Sequence, residues 1–71
     1  MKLKELAIVL SPYNRITLTI YKQNYNDEYV FENIPMKLIK NEKWEEYFEY
    51  KIKYIYANYN GEIVIVLKER D

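Results

Sequence analysis

Ile52-Lys53-Tyr54-Ile55-Tyr56-Ala57-Asn58-Tyr59-Asn60-Gly61-Glu62-Ile63-Val64-Ile65-Val66-Leu67-Lys68 is the stretch that decides how this chain folds. Two runs of β-branched and aromatic residues flank Asn60-Gly61, the dipeptide favoured in two-residue type I′ hairpins because both central positions need positive φ. With that turn Tyr59 faces Glu62. Moving outward, Ala57 faces Val64, Tyr56 faces Ile65, Ile55 faces Val66, Tyr54 faces Leu67 and Lys53 faces Lys68. One face of the hairpin then carries Tyr54, Tyr56, Ile63, Ile65 and Leu67. The other carries Ile55, Ala57, Val64 and Val66, framed by Tyr59, Lys53 and Lys68. Both faces read as apolar, whereas a sheet wetted on one side is polar there.

Upstream of this hairpin, Trp44, Tyr47 and Phe48 fall at i, i+3 and i+4 with Glu42, Glu45, Glu46 and Glu49 around them, which predicts a helix with one apolar stripe. Pro35 has the fixed φ of a first helical residue, Met36, Leu38 and Ile39 add apolar contacts, and Asn41 marks an expected break. Further back, Ile16, Leu18 and Ile20 alternate with Arg15, Thr17, Thr19 and Tyr21 as a half-buried strand does. Gln23 to Asp27 is turn chemistry leading to a second strand. If Gln23 faces Glu28, then Ile20 lies opposite Phe31 and Lys22 opposite Tyr29. Ile16, Leu18, Ile20, Tyr29 and Phe31 then share one buried face, and Glu32 stays wet. At the start, Leu3, Leu6, Ala7 and Leu10 have amphipathic helical spacing, and Ser11-Pro12 stops the helix. The expected architecture is one α+β domain over residues 1–71. It is a two-layer sandwich of a four-stranded, mostly antiparallel sheet and two helices, in the order αββαββ. The two helix-plus-hairpin halves resemble an old duplication.

Composition narrows the chemistry. Among 71 residues there is no His and no Cys, which removes zinc fingers, disulfides, thiol nucleophiles, Ser-His-Asp triads and imidazole proton shuttles. Gly61 is the only glycine and is committed to a turn, so a phosphate-cradling glycine loop is absent as well. Eleven Lys and Arg cancel eleven Asp and Glu, which argues against a basic nucleic-acid coat or an acidic DNA mimic. No apolar run has the length of a signal peptide or a bilayer span, so the expected location is the cytoplasm. The expectation is a chain without enzymatic activity, metal or cofactor.

Three groups of residues are candidates for interaction. The Ile55, Ala57, Val64 and Val66 patch is exposed if both helices cover the other face, and such patches mark interfaces, self-association first among them. The nine tyrosines divide, with Tyr29, Tyr47, Tyr54 and Tyr56 on expected core faces. Tyr25 and Tyr59 sit at hairpin tips where an aromatic ring anchors a protein partner. Glu42, Glu45, Glu46 and Glu49 form a charge run that is first of all a solvated helix face, and second an acidic ridge suited to a basic channel. Lys51, Lys53, Tyr54 and Tyr56 interleave as in single-strand binders, but neutral net charge and only two arginines, Arg15 and Arg70, make direct nucleic-acid binding an unfavoured reading.

The run Leu10-Ser11-Pro12-Tyr13-Asn14-Arg15-Ile16-Thr17, then Ile34-Pro35, Lys53-Tyr54-Ile55-Tyr56-Ala57 and Ile63-Val64-Ile65-Val66-Leu67, resembles small phage- and prophage-encoded proteins of AT-rich Firmicutes. Genes of that kind often lie among anti-defence genes, including those of anti-CRISPR proteins. The resemblance contains no catalytic motif and assigns no residue a role. It implies a non-enzymatic inhibitor in the host cytoplasm that binds a bacterial defence effector, a CRISPR-associated nuclease first. The residues expected to make that contact are the tip tyrosines and acidic ridge read above, Tyr25, Glu42, Glu45, Glu46, Glu49 and Tyr59. A homodimer through Ile55, Ala57, Val64 and Val66 is the accompanying expectation. The alternatives are an oligomeric sponge for a small nucleotide signal, with Tyr for stacking and Lys or Arg15 for phosphate, and a phage regulator that touches nucleic acid.

Overall fold

A computed structural model describes residues 1–22, 27–41 and 43–69, with the backbone alone at 39–41 and 43. In chain order the elements are α1 (Leu3–Ala7), β1 (Arg15–Tyr21), β2 (Glu28–Pro35), two 3-10 turns (Met36–Asn41 and Lys43–Tyr47), β3 (Ile52–Ala57) and β4 (Ile63–Lys68). The strands form one sheet in the order β2-β1-β4-β3. Its outer ladders, β1 with β2 and β3 with β4, are antiparallel, and the central pair β1 and β4 is parallel. The sheet is thus mixed and the fold α+β. One short helix and 3-10 turns replace the two helices expected in an αββαββ order. The first strand of one hairpin lies beside the second strand of the other, so the two halves occupy non-equivalent places and the topology is not that of a duplicated unit.

The helical layer departs from expectation for a tertiary reason. Residues 36–51 carry the chain from one sheet edge to the other, roughly 14 Å across three strand spacings. Both ends of that crossing are tied to the N-terminal segment. Met36 and Lys37 donate their N–H groups to the carbonyls of Asn14 and Pro12, and the carbonyls of Phe48 and Tyr50 accept from Lys4 and Leu3. A 3-10 turn advances about 2.0 Å per residue against about 1.5 Å for an α-helix, so tethered ends favour the stretched form. α1 ends three residues short of Leu10, where Val9 N–H bonds the Leu6 carbonyl and Ile8 and Val9 lie exposed before Ser11-Pro12. The Glu5 carboxylate accepts from Lys2 N–H at 3.1 Å, which satisfies one free amide at the helix start.

Leu3, Ile16, Leu18, Ile20, Phe31, Trp44, Ile65 and Leu67 form the core between this layer and one sheet face. Trp44 meets Phe31 and Phe48 edge-on at 6.4 Å and 5.3 Å between ring centroids, and Tyr47 and Phe48 are half-buried against the same cluster. The Trp44, Tyr47, Phe48 stripe therefore packs inward even without a regular α-helix.

Both hairpins adopt registers other than those expected. In the first, Ile20 pairs with Glu28, Thr19 with Tyr29 and Leu18 with Phe31, with register shifts on either side of Leu18. These irregularities deliver Phe31 to the core and turn Tyr29 to the opposite face, where it is largely exposed. In the second, Ala57 pairs with Ile63, Tyr56 with Val64, Ile55 with Ile65, and Tyr54 with Val66. The loop holds three residues instead of two. Asn58 N–H donates to the Glu62 carbonyl, Gly61 N–H closes the turn on the Asn58 carbonyl, and the Asn58 side-chain oxygen accepts from the amides of Asn60 and Glu62. Among the described residues only Gly61 and Asn33 have positive φ, so Asn60 does not take the conformation a type I′ turn requires. A type I turn closed by a left-handed glycine gives this longer loop.

One residue of slip moves every side chain to the other face of the sheet. Tyr54 and Tyr56 join Val64 and Val66 on the face away from the core, while Ile55 and Ala57 accompany Ile63 and Ile65. A bulge at Lys53 restores parity, returning Ile52 to the core side opposite Leu67. The expected self-association patch of Ile55, Ala57, Val64 and Val66 is therefore split between two faces. Ile55 is 42% exposed, and Val64 and Val66 are buried. Tyr54 and Tyr56, expected in the core, are 44% and 50% exposed.

Candidate functional site

On the sheet face opposite the core, the described strands form a floor with two margins. Thr17 and Thr19 of β1 register with Val64 and Val66 of β4, and all four are at most 5% exposed. Tyr54 and Tyr56 flank the floor on the β3 side, their ring centroids 6.0 Å apart with planes tilted by 30°. Tyr29 flanks it on the β2 side, as the partner of Thr19. Tyr21 and Lys68 pair at the far end, and the Lys53 ammonium sits 4.5 Å above the centroid of the Tyr21 ring.

At the near end a hydrogen-bonded brace crosses three strands. Thr17 Oγ1 accepts from Asn33 N–H at 3.0 Å and donates to Glu62 Oε1 at 2.8 Å. Arg15 grips Asn33 through its side-chain oxygen at 2.6 Å and its carbonyl at 2.7 Å. Asn33 itself stands at φ 52, the left-handed region Asn tolerates better than most residues. Arg15, considered above for phosphate, is thus committed to holding this irregular edge. The Thr19 hydroxyl is likewise used, donating to the Glu28 carbonyl at 3.0 Å.

The residues expected to bind a partner do not converge. Tyr25 and Glu42 lie outside the described residues. Tyr59 is fully exposed on the β3–β4 loop. Because β1 and β4 run parallel, that loop projects from the sheet end opposite the one where β1 finishes and β2 begins. It also lies one length of β3, roughly 20 Å, from Glu49. Glu45 and Glu46 are exposed on the second 3-10 turn. Glu49 is not part of an open acidic ridge: it takes Lys2 and Lys4 on its two oxygens, each at 2.7 Å. Hydrogen bonds from those ammonium groups, and their charge, hold its carboxyl down at about 2, and Glu49 in turn raises Lys4. The same pattern closes the first hairpin, where Lys22 contacts Glu69 and Glu28 and is raised by both.

On the helical side, an apolar groove of about 460 Å³ runs between α1 and the 3-10 turns, lined by Ala7, Ile8, Leu10, Met36, Trp44 and Phe48, among others. Among the described residues its charged lining comes from Lys4, Lys37 and Glu45, which form no nucleophile-and-base pair. Among the described residues no cluster of carboxylates is placed to hold a metal ion, and no helix is long and apolar enough to cross a membrane.

Tyr54, Tyr56, Lys53 and Lys68 were not legible as one surface from the hairpin rule applied to Asn60-Gly61. The signal lay one step earlier: Asn58-Tyr59-Asn60-Gly61 has Asn at the first and Gly at the fourth position of a type I turn. Reading that tetrapeptide puts both tyrosines on the face away from the core. What fold and site define is a class, a small α+β chain with a tyrosine-bearing sheet face opposite its core. No protein-family model, curated protein or solved structure matches this chain.

Proposed function

We propose that this chain is a non-enzymatic binding protein that docks on a partner protein along the β3 edge of its sheet. The partner to test first is a bacterial defence complex, a CRISPR-associated nuclease before others. The observation that carries the docking reading is the contrast between the two sheet edges. β2 is interrupted by two register shifts, a left-handed Asn33 and a terminal Pro35, devices that discourage a further strand from pairing. β3 beyond Lys53 is regular and uncharged from Tyr54 to Ala57, and each of these residues is exposed. An open edge of that kind accepts an added strand through main-chain hydrogen bonds. The choice of a defence nuclease rests on the resemblance to phage and prophage proteins, and the absence of His and Cys from the sequence supports a binding role over a catalytic one.

Cleavage of target nucleic acid by several effector types, with and without the protein, tests the target. Inhibition that disappears with Ile55→Lys, an exposed edge substitution, supports both partner and edge. Unchanged cleavage across the panel removes the partner, and equal inhibition by the variant removes the edge. The same edge is self-complementary when centred on Ile55, which sets Tyr54 opposite Tyr56 of a second copy. Sedimentation at twice 8.8 kDa for the wild type and at 8.8 kDa for Ile55→Lys is the result expected of a homodimer.

A further inference from the structure

The charges of this chain sum to zero but are not evenly spread. Lys2 and Lys4 are neutralised by Glu49, and Lys22 by Glu28 and Glu69. Among the described residues, Lys51, Lys53 and Lys68 form no ion pair with any carboxylate. They are neighbours: Lys68 N–H donates to the Lys51 carbonyl at 2.8 Å, and Lys53 stands over Tyr21, the register partner of Lys68. Glu69, the next residue along, is turned to Lys22. Like charges gathered in one corner of a sheet repel, and an anion met there relieves the repulsion.

We infer that the corner formed by Lys51, Lys53 and Lys68 with Tyr54 and Tyr56 is a binding site for single-stranded nucleic acid. The lysines take the backbone phosphates and the two half-exposed rings take bases. Stacking selects single strands, because only unpaired bases offer their faces to a flat platform. The floor beside the rings contributes no sequence readout. Both threonine hydroxyls there are already donated, to Glu62 and to the Glu28 carbonyl, and the remaining side chains are those of valine. Recognition is therefore tolerant of base identity. The site goes beyond the docking reading, since it uses the lysine corner and the ring faces of β3 where docking uses its outer backbone.

Fluorescence anisotropy of a labelled oligothymidylate of about 12 nucleotides, a length within the span that single-strand sites cover, tests the inference against a duplex of equal length. The expected result is saturable binding of the single strand at about 50 mM salt. The logarithm of its affinity should fall against log salt with a slope of about −2, for three phosphate contacts. Lys53→Glu with Lys68→Glu should abolish binding, and Tyr54→Leu with Tyr56→Leu should weaken it by about tenfold or more, while circular dichroism verifies that each variant folds. Failure to bind at low salt overturns the site, as does retained binding in the lysine variant. Equal affinity for duplex, or no loss in the tyrosine variant, overturns the stacking role. Effector inhibition by the lysine variant separates this result from the docking reading, which it leaves standing.

Discussion

The two faces of the sheet put their apolar side chains to different use. On the closed face Leu3, Ile16, Leu18, Ile65 and Leu67 are wholly buried under α1 and the 3-10 turns. On the other face Val64 and Val66 are buried as well, between tyrosine margins. Aliphatic side chains are what packing alone would select there. Tyr54, Tyr56, Lys53 and Lys68 stand instead, and all four are exposed. The difference separates residues that hold the fold from residues the fold displays.

Trp44→Ala is the substitution that bears hardest on this comparison. It removes a ring that is 5% exposed and touches both Phe31 and Phe48, and its expected cost is about 3–5 kcal/mol in urea unfolding. Tyr56→Leu on the other face should change stability by about 0.5 kcal/mol or less. Equal costs for the two would break the distinction between faces.

Thr17→Val tests whether that face has structural needs of its own. The hydroxyl it deletes leaves Asn33 N–H and the Glu62 carboxylate without their partner, and a loss of about 1–2 kcal/mol is expected from the same measurement. Gly61→Ala probes the loop that assigns side chains to faces. At φ +75 with nothing within 4 Å of a new Cβ, the penalty is conformational and about 1–2 kcal/mol.

The smallest effect concerns Glu49. Its folded-state carboxyl lies at about 2, below the ordinary 4.5, so the unfolded chain binds more protons between those values. The contribution of its two ion pairs is complete above about pH 4.5 and is lost as pH falls toward 2. Acid unfolding of Glu49→Gln should show a shallower pH dependence in that window than the wild type, with the small difference present at neutrality vanishing as pH falls toward 2.

Much of the fold is legible in the residues. Alternation through Ile16, Leu18 and Ile20, turn chemistry before Glu28 and the strand runs either side of Asn60-Gly61 place all four strands. Trp44, Tyr47 and Phe48 are identified as packing residues by spacing alone. The site was less legible, because it depends on one residue of register. The Asn58 side chain, by accepting from Asn60 and Glu62, decides between a two- and a three-residue loop and with it the faces of Tyr54, Tyr56 and Ile55. Local preference for Asn-Gly favours one loop. Burial of Ile65 and Leu67 on the closed face is satisfied by either, so propensity could not choose.

By itself, then, the order of residues determined which segments are strands, which side chains seek the interior, and that thiol and imidazole chemistry are absent. Tertiary structure alone decided that β1 and β4 run parallel, that the crossing from β2 to β3 is drawn into 3-10 turns, and that Glu49 closes on Lys2 and Lys4. The physical reason is range. Strand propensity and turn chemistry act over a few neighbouring residues, whereas strand order, tethering of a crossover and pairing of charges distant in sequence depend on which segments meet in space.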